Sequence, residues 1–295
     1  MFRNLRLFRL DSPWPDSEDA LTERLAEAAF EPCGPLTERS NGWVPILANT
    51  SDSLARRLNG ADLMQLRSQS RILPAAAINE ELEIRLDDYR RRMGEEPPAR
   101  EKRRMKAETR DELMPKAMLK SDRIWGFVDL KEKLLGVDTL SEPNAERFLR
   151  RLKATFGDLL IRPLDYREPV AGFLTKVFLD DAPGQFTLGR ECRMQDAKDP
   201  GSIVRWTNFD LADKSIRDHV AQGMRLTHLA IVYDNVLSCV IDQDGVISKI
   251  KFLGEDDPAD EEADPIARFD AGFVLASGTI RNLVGDLKKA LGGFH

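Results

Sequence analysis

Two aspartates one residue apart, Asp242 and Asp244, stand shortly before two lysines, Lys249 and Lys251. An acid-acid-lysine set of this kind occurs in metal-dependent nucleases, where the carboxylates hold magnesium and orient a water. A plainer chemistry fits the same residues. Gln243-Asp244-Gly245 lies between two apolar, alternating stretches, and an Asp-Gly turn needs an acid for backbone reasons alone. A hairpin with strand lysines and no enzymatic activity is therefore expected, with a metal-dependent exonuclease using Asp242 and Asp244 as the alternative. The three histidines, His219, His228 and His295, pair with no cysteine or acid at metal-ligand spacing, so neither a metal site nor a cofactor is expected. Cys33, Cys192 and Cys239 form no C-x-x-C, and three scattered thiols fit a reducing compartment. No phosphate-binding loop, dinucleotide fingerprint or nucleophile elbow is present.

The basic residues say more. Lys116, Lys120 and Arg123 cluster with only Asp122 to offset them, and Arg71, Arg205, Lys249 and Lys251 fall on stretches with strand character. Dispersed cations suit contacts to DNA phosphates without base reading, and an ordinary solvated surface would use them equally. A formal charge of -6 does not decide between these. Seven acids and no base lie between Glu255 and Asp264, and the remainder is close to neutral. Any basic surface is therefore local. The opening MFRNLRLFRL lacks the continuous apolar stretch of a leader, and no run is long enough to span a membrane. A cytoplasmic protein is expected.

The elements that would position these residues are alternating strands and amphipathic helices. Strands are expected at Phe2 to Leu10, Trp43 to Leu47, Leu63 to Leu73, Ile124 to Leu130 and Leu159 to Leu164. In the second half they fall at Phe186 to Arg193, Ile203 to Phe209, Arg225 to Tyr233, Val236 to Asp242 and Val246 to Leu253. Helices are expected at Ser17 to Phe30, after a Ser141 cap, and at Asp213 to Gln222. From Glu80 to Glu112 ten bases and eleven acids leave few apolar residues, which reads as a projecting helical arm turned at Pro97-Pro98. Phe269, Phe273, Ala276, Ile280, Leu283, Leu287 and Leu291 mark a long closing helix whose apolar stripe serves either the core or a dimer seam. The fold class is α+β, with mixed or antiparallel sheets. The organisation expected is an N-terminal unit of residues 1–74 plus 124–165, an arm of 75–123 and a C-terminal unit of 166–295.

Short motifs along the whole chain resemble, in order, those of the RdgC family. They are FRNLRLFRL (Phe2 to Leu10), AFEPCG (Ala29 to Gly34), GWVP (Gly42 to Pro45), RILP (Arg71 to Pro74) and LMPKAM (Leu113 to Met118). FDL (Phe209 to Leu211), LTHLA (Leu226 to Ala230), SKIKF (Ser248 to Phe252), RFDAGFVL (Arg268 to Leu275) and LGG (Leu291 to Gly293) follow. No single motif is specific; the ordered set is. The resemblance implies a ring-shaped homodimer that encircles double-stranded DNA with little sequence preference and restrains the recombinase RecA. A nucleoid-associated location follows from that. It also implies DNA-binding roles for Arg71, Lys116, Lys120, Arg205, Lys249 and Lys251. Met118 stands at the dimer gate, where the family usually has a phenylalanine. Asn208 and Phe209 replace a usual Lys-Gln pair, and Met224 replaces a lysine, so this chain is a divergent member.

Overall fold

The computed structural model describes residues 1–47, 52–254 and 264–295. Most of the acidic stretch, residues 255–263, lies outside the described residues. The fold is α+β, with two antiparallel sheets.

The first sheet runs in the order β2-β4-β5-β6-β1-β7, with β3 also paired to β4. Its strands are β1 (Arg6–Leu10), β2 (Arg39–Val44), β3 (Ala55–Leu58), β4 (Ala61–Ile72), β5 (Met118–Asp129), β6 (Leu134–Val137) and β7 (Ile161–Pro163). Asn59 and Gly60, both at positive φ, make the two-residue turn that fits the twist of β3 and β4. Strand β2 begins and ends earlier than the expected Trp43 to Leu47: its Arg39–Asn41 portion carries no apolar signal, and Pro45 follows its end.

Side chains alternate across β4 and β5. On one face Trp43, Met64, Leu66, Ile124 and Val128 pack against α1 (Glu18–Ala26) and α4 (Glu142–Phe156). The packing is close enough that a Cβ on Gly126 would lie 2.1 Å from the Phe148 ring. The predicted Ser141 cap holds, accepting from the Asn144 amide, and Ser17 caps α1 in the same way, accepting from the Ala20 amide. Helix α1 stops at Ala26, short of the expected Phe30.

Ala61, Leu63 and Phe127 on the other face meet α7 (Pro265–Ala290), α5 (Val170–Phe178) and the inner face of the second sheet. That sheet has the order β12-β11-β10-β8-β9. Its strands are β8 (Phe186–Asp196), β9 (Ile203–Thr207), β10 (Met224–Tyr233), β11 (Leu237–Asp242) and β12 (Ile247–Phe252). The short α6 (Lys214–Ala221) packs on β10. Phe273, Ala276, Ile280, Leu283, Leu287 and Leu291 are all buried within the chain's own core, so the stripe is core and the seam reading of it is withdrawn. Polar contacts fix α7 as well: Arg281 Nε bonds Asp129 Oδ2 at 2.5 Å, and Tyr233 donates to Asp286 at 2.7 Å. The segment leading into β1 meets β12 through backbone bonds: Leu5 and Ile247 exchange N–H to O bonds of 2.7 and 3.0 Å, and the Ile250 N–H donates to the Arg3 carbonyl at 3.0 Å.

The charged region folds as an antiparallel pair of helices, α2 (Ala75–Met93) and α3 (Ala99–Leu113). Gly94 at φ 73° ends α2, and Pro98 immediately precedes α3. The pair shares a small core of Leu82, Leu86 and Met105, with Tyr89 against it. Arg85 ties the helices together through Glu112. A single 3-10 turn, Met114–Lys116, leads into β5. Because β5 begins at Met118, residues Met118 to Arg123 extend the sheet.

Candidate nucleic-acid interface

At their Asp129/Ala61 end, β4 and β5 are covered on both faces; at the other end they emerge from under the helices. The register there aligns Arg39, Ser70 and Lys120 in one row, Asn41, Ser68 and Asp122 in the next, and Trp43, Leu66 and Ile124 where the cover begins. Gly42, Arg67 and Arg123 form the intervening row on the opposite face. Arg67 and Arg123 are thus direct cross-strand neighbours of like charge. The Arg67 guanidinium lies 4.5 Å from the Phe30 ring centroid, which orients it. Arg123 bonds only weakly to Gln65, at 3.5 Å. Neither arginine has a carboxylate partner among the described residues.

The sequence-derived residues divide between roles. Arg71 is half-buried, and its guanidinium donates to the carbonyls of Gly34 (3.0 Å), Met114 (3.1 Å) and Pro115 (3.2 Å). It pins the helix pair to the sheet. Lys116 is exposed on the 3-10 turn. Lys120 is exposed on β5, on the face opposite Arg123, with Asp122 at 3.8 Å. Met118, opposite Ile72, is 78 % exposed, and Leu119 and Ile84 add exposed apolar surface nearby.

The outward face of the second sheet has a parallel arrangement. Register places Arg205, Arg193, His228 and Asp242 in one row across β9, β8, β10 and β11. Glu191, two residues from Arg193, accepts from Arg205 at 2.6 Å and from Lys249. Burial alone would raise the Glu191 carboxyl, but the Lys249 and Arg205 hydrogen bonds outweigh it and hold the group below its ordinary value. Burial lowers the His228 imidazole; Asp242 opposes this, while Arg193 and Arg205 add to it. Lys251 is exposed opposite Ser238. Asn208 and Phe209, also exposed, follow the end of β9; Met224 is buried at the start of β10.

Asp242 is occupied with its turn: Oδ1 accepts the amides of Asp244 (2.9 Å) and Val246 (2.8 Å). Among the described residues no group of three or more His, Cys, Asp or Glu is placed to hold a metal ion. The Cys192 and Cys239 thiols are pushed up to about 12, chiefly by burial, which suits packing rather than nucleophilic chemistry. No described helix is long and apolar enough to cross a membrane.

Sequence reading alone missed the pairing of Arg67 with Arg123 and the alignment of Arg193 and His228 with Arg205. The alternation Gln65, Arg67, Gln69, Arg71 was available as a signal. The cross-strand partners were not, since they come from elsewhere in the chain.

Fold and surface together define an α+β protein whose two antiparallel sheets each present a row of cations outward. A family model described as "Putative exonuclease, RdgC" matches residues 1–294. This chain belongs to the RdgC family. Similar relatives named recombination-associated protein RdgC include one from Stenotrophomonas maltophilia, 33 % identical over 295 residues, which cover 98 % of this chain and 97 % of the relative. Another, from Halorhodospira halophila, is 32 % identical over 300 residues, 99 % of this chain and 98 % of the relative. A third, from Sodalis glossinidius, is 29 % identical over 296 residues, 99 % and 97 % respectively.

Proposed function

We propose that this chain binds double-stranded DNA without sequence preference, as a ring-shaped homodimer that encircles the duplex and restrains RecA-dependent recombination. One observation carries the reading: Arg67 faces Arg123 directly across neighbouring strands with no carboxylate partner among the described residues, and Arg193 faces Arg205 in the same way, with Glu191 offsetting only Arg205 of that pair. Like charges so placed oppose folding. They are useful to a protein whose partner is a polyanion, and phosphates are read by charge rather than by base. Relatives over nearly the full length carry the name recombination-associated protein, which supports DNA as that partner.

In this reading the helix pair projects as an arm, and Met118 beside it inserts into the partner subunit as the gate. Methionine fills such a pocket less rigidly than phenylalanine. Lys116, Arg205, Lys249 and Lys251 contribute phosphate contacts to that duplex, Lys120 makes its phosphate contact from the opposite face of β5, and Arg71 acts through the joint it holds. The protein works in the cytoplasm at the nucleoid and needs no cofactor. It has no nuclease activity, because Asp242 serves its hairpin. Incubation with magnesium or manganese leaves linear and nicked DNA intact; degradation lost in Asp242→Asn would instead establish the exonuclease.

The decisive experiment is anisotropy titration of unrelated labelled duplexes against salt. Affinity falls steeply and equally for all of them, and a flat salt dependence would refute phosphate binding. A strand-exchange assay with RecA on duplex already bound by the protein tests the restraint, which predicts a slower reaction.

A further inference from the structure

The bare end of the first sheet is basic on both faces. Opposite Arg67 and Arg123 lies a second surface, formed where α4 leaves the sheet. Two adjoining concavities of about 240 and 480 Å³ share Arg39, Asn41 and Arg147. Ser68, Ser70 and Lys120 line one; Arg150 and Arg151 line the other.

The local sequence builds this surface. Pro143, Glu146, Arg147, Arg150, Arg151 and Ala154 recur at helical spacing and so form one stripe of α4. Arg39 and Asn41 share the strand face of Trp43, whose indole meets Phe148 of α4 edge to face, with ring centroids 5.3 Å apart. The core contact thus fixes how the arginine stripe sits beside the β2 row. Ala154 leaves open the space one turn beyond Arg150.

The charge balance points to an anion. Five bases line the two concavities against Asp122 and Glu146, and Asp122 already has Lys120 at 3.8 Å. Arg151 is engaged elsewhere, donating to the Ala28 carbonyl at 2.8 Å. Arg39, Arg147 and Arg150 have no carboxylate within ion-pair distance among the described residues. Arg56, Arg57, Arg85, Arg90, Arg162 and Arg281 each pair with an acid, whereas these three share with Arg67 and Arg123 the lack of one. Planar guanidinium forks beside serine and asparagine donors suit phosphodiester oxygens.

We infer that Arg39, Arg147 and Arg150 form a second site for a nucleic-acid backbone, taking a different DNA segment from the one met by Arg67 and Arg123. The inference rests on the reading that this chain binds DNA. Strand alternation puts the two sites on opposite faces of the same strands, so one duplex segment cannot lie on both. A protein occupied at both would hold two duplexes together.

The test is capture of a fluorescent duplex by protein bound to a different duplex immobilised on beads, run beside anisotropy titration of a single short duplex. Wild-type protein captures the second duplex. The variant R39A/R147A/R150A binds the single duplex within about twofold of wild type, yet its capture falls at least tenfold. Arg150→Glu, an exposed change on the helix, gives the same split, and unchanged melting temperatures show that both variants are folded. Single-duplex binding without capture by wild type, or capture that survives the triple substitution, overturns the second site and leaves the proposed function standing. Loss of single-duplex binding in the variants also overturns it, since the groove would then be the first site. Absence of any duplex binding by wild type overturns both readings.

Discussion

The two halves of the β4–β5 pair treat charge in opposite ways. In the covered half, Asp62 and Asp129 are completely buried, and each is neutralised: Arg57 forks onto Asp62 at 2.6 and 2.7 Å, and Arg281 reaches Asp129 at 2.5 Å. Remaining lone pairs are used too, by the Trp14 indole on Asp62 and the Lys131 and Glu132 amides on Asp129. In the bare half Arg67 and Arg123 stand side by side, and neither has a carboxylate partner among the described residues. The same two strands therefore carry charge that completes the fold at one end and charge that awaits a partner at the other. Where burial is complete, an ion must be paired within the molecule. Where it is not, repulsion is tolerable and available for binding.

Substitutions should divide along that line. The largest effect belongs to Arg281→Met, which leaves Asp129 buried and uncompensated at a cost of about 3–5 kcal/mol. Denaturant unfolding measures it; a loss near zero would show that the covered half does not depend on its ion pairs. Next is Met118→Glu at the edge of the bare half. It should leave the melting temperature within a few degrees of wild type but halve the mass seen by light scattering at micromolar concentration. A persistent dimer would remove Met118 from the gate. Arg67→Ala with Arg123→Ala comes third. This pair should weaken duplex binding by roughly tenfold at physiological salt and lower the log–log salt slope by about one per residue, with stability unchanged or raised. Destabilisation without loss of affinity would erase the contrast between the halves.

The smallest effect extends the comparison to the second sheet. His228 is held below its ordinary value, so the folded protein binds fewer protons there than the unfolded chain. Stability from this group is full above the ordinary histidine value and declines as pH falls through it. Phosphate beside the Arg193–His228 row would favour the charged imidazole, so duplex affinity should rise a few-fold between pH 7.5 and 5.5. His228→Gln should abolish that rise; an unchanged pH profile would place His228 away from the DNA.

Much of this was legible in the sequence, and burial decided which parts. Strand β4 was readable because Leu63, Met64 and Leu66 are packed on both faces. The first half of β5 was not, because Met118 to Arg123 are all exposed and alternate against nothing. Helix α5 escaped for the opposite reason: Val170, Phe173, Leu174, Val177 and Phe178 are buried in nine residues, leaving little polar contrast to mark its period. The Asn59-Gly60 turn was a readable hairpin signal that the apolar pattern overshadowed. Single basic residues were visible, but their rows depend on register between distant strands. Arg71 shows the limit in reverse: its type suggests phosphate, while its position gives it five backbone carbonyls.

The bridge between Leu5 and Ile247 has a bearing on how the molecule is made. Leu5 acquires its backbone partner only after β12 has been synthesised, and Arg9 binds the carbonyl of His295 at 3.1 Å. Contacts of such separation come late, since the intervening chain must be ordered before they repay the entropy of closing it. The first sheet can complete its α1 and α4 face early, while its other face stays apolar and incompletely covered until α5, the second sheet and α7 have followed. For that interval the nascent chain exposes Leu5, Leu63 and Phe127, apolar surface of the kind that favours association between unfinished chains.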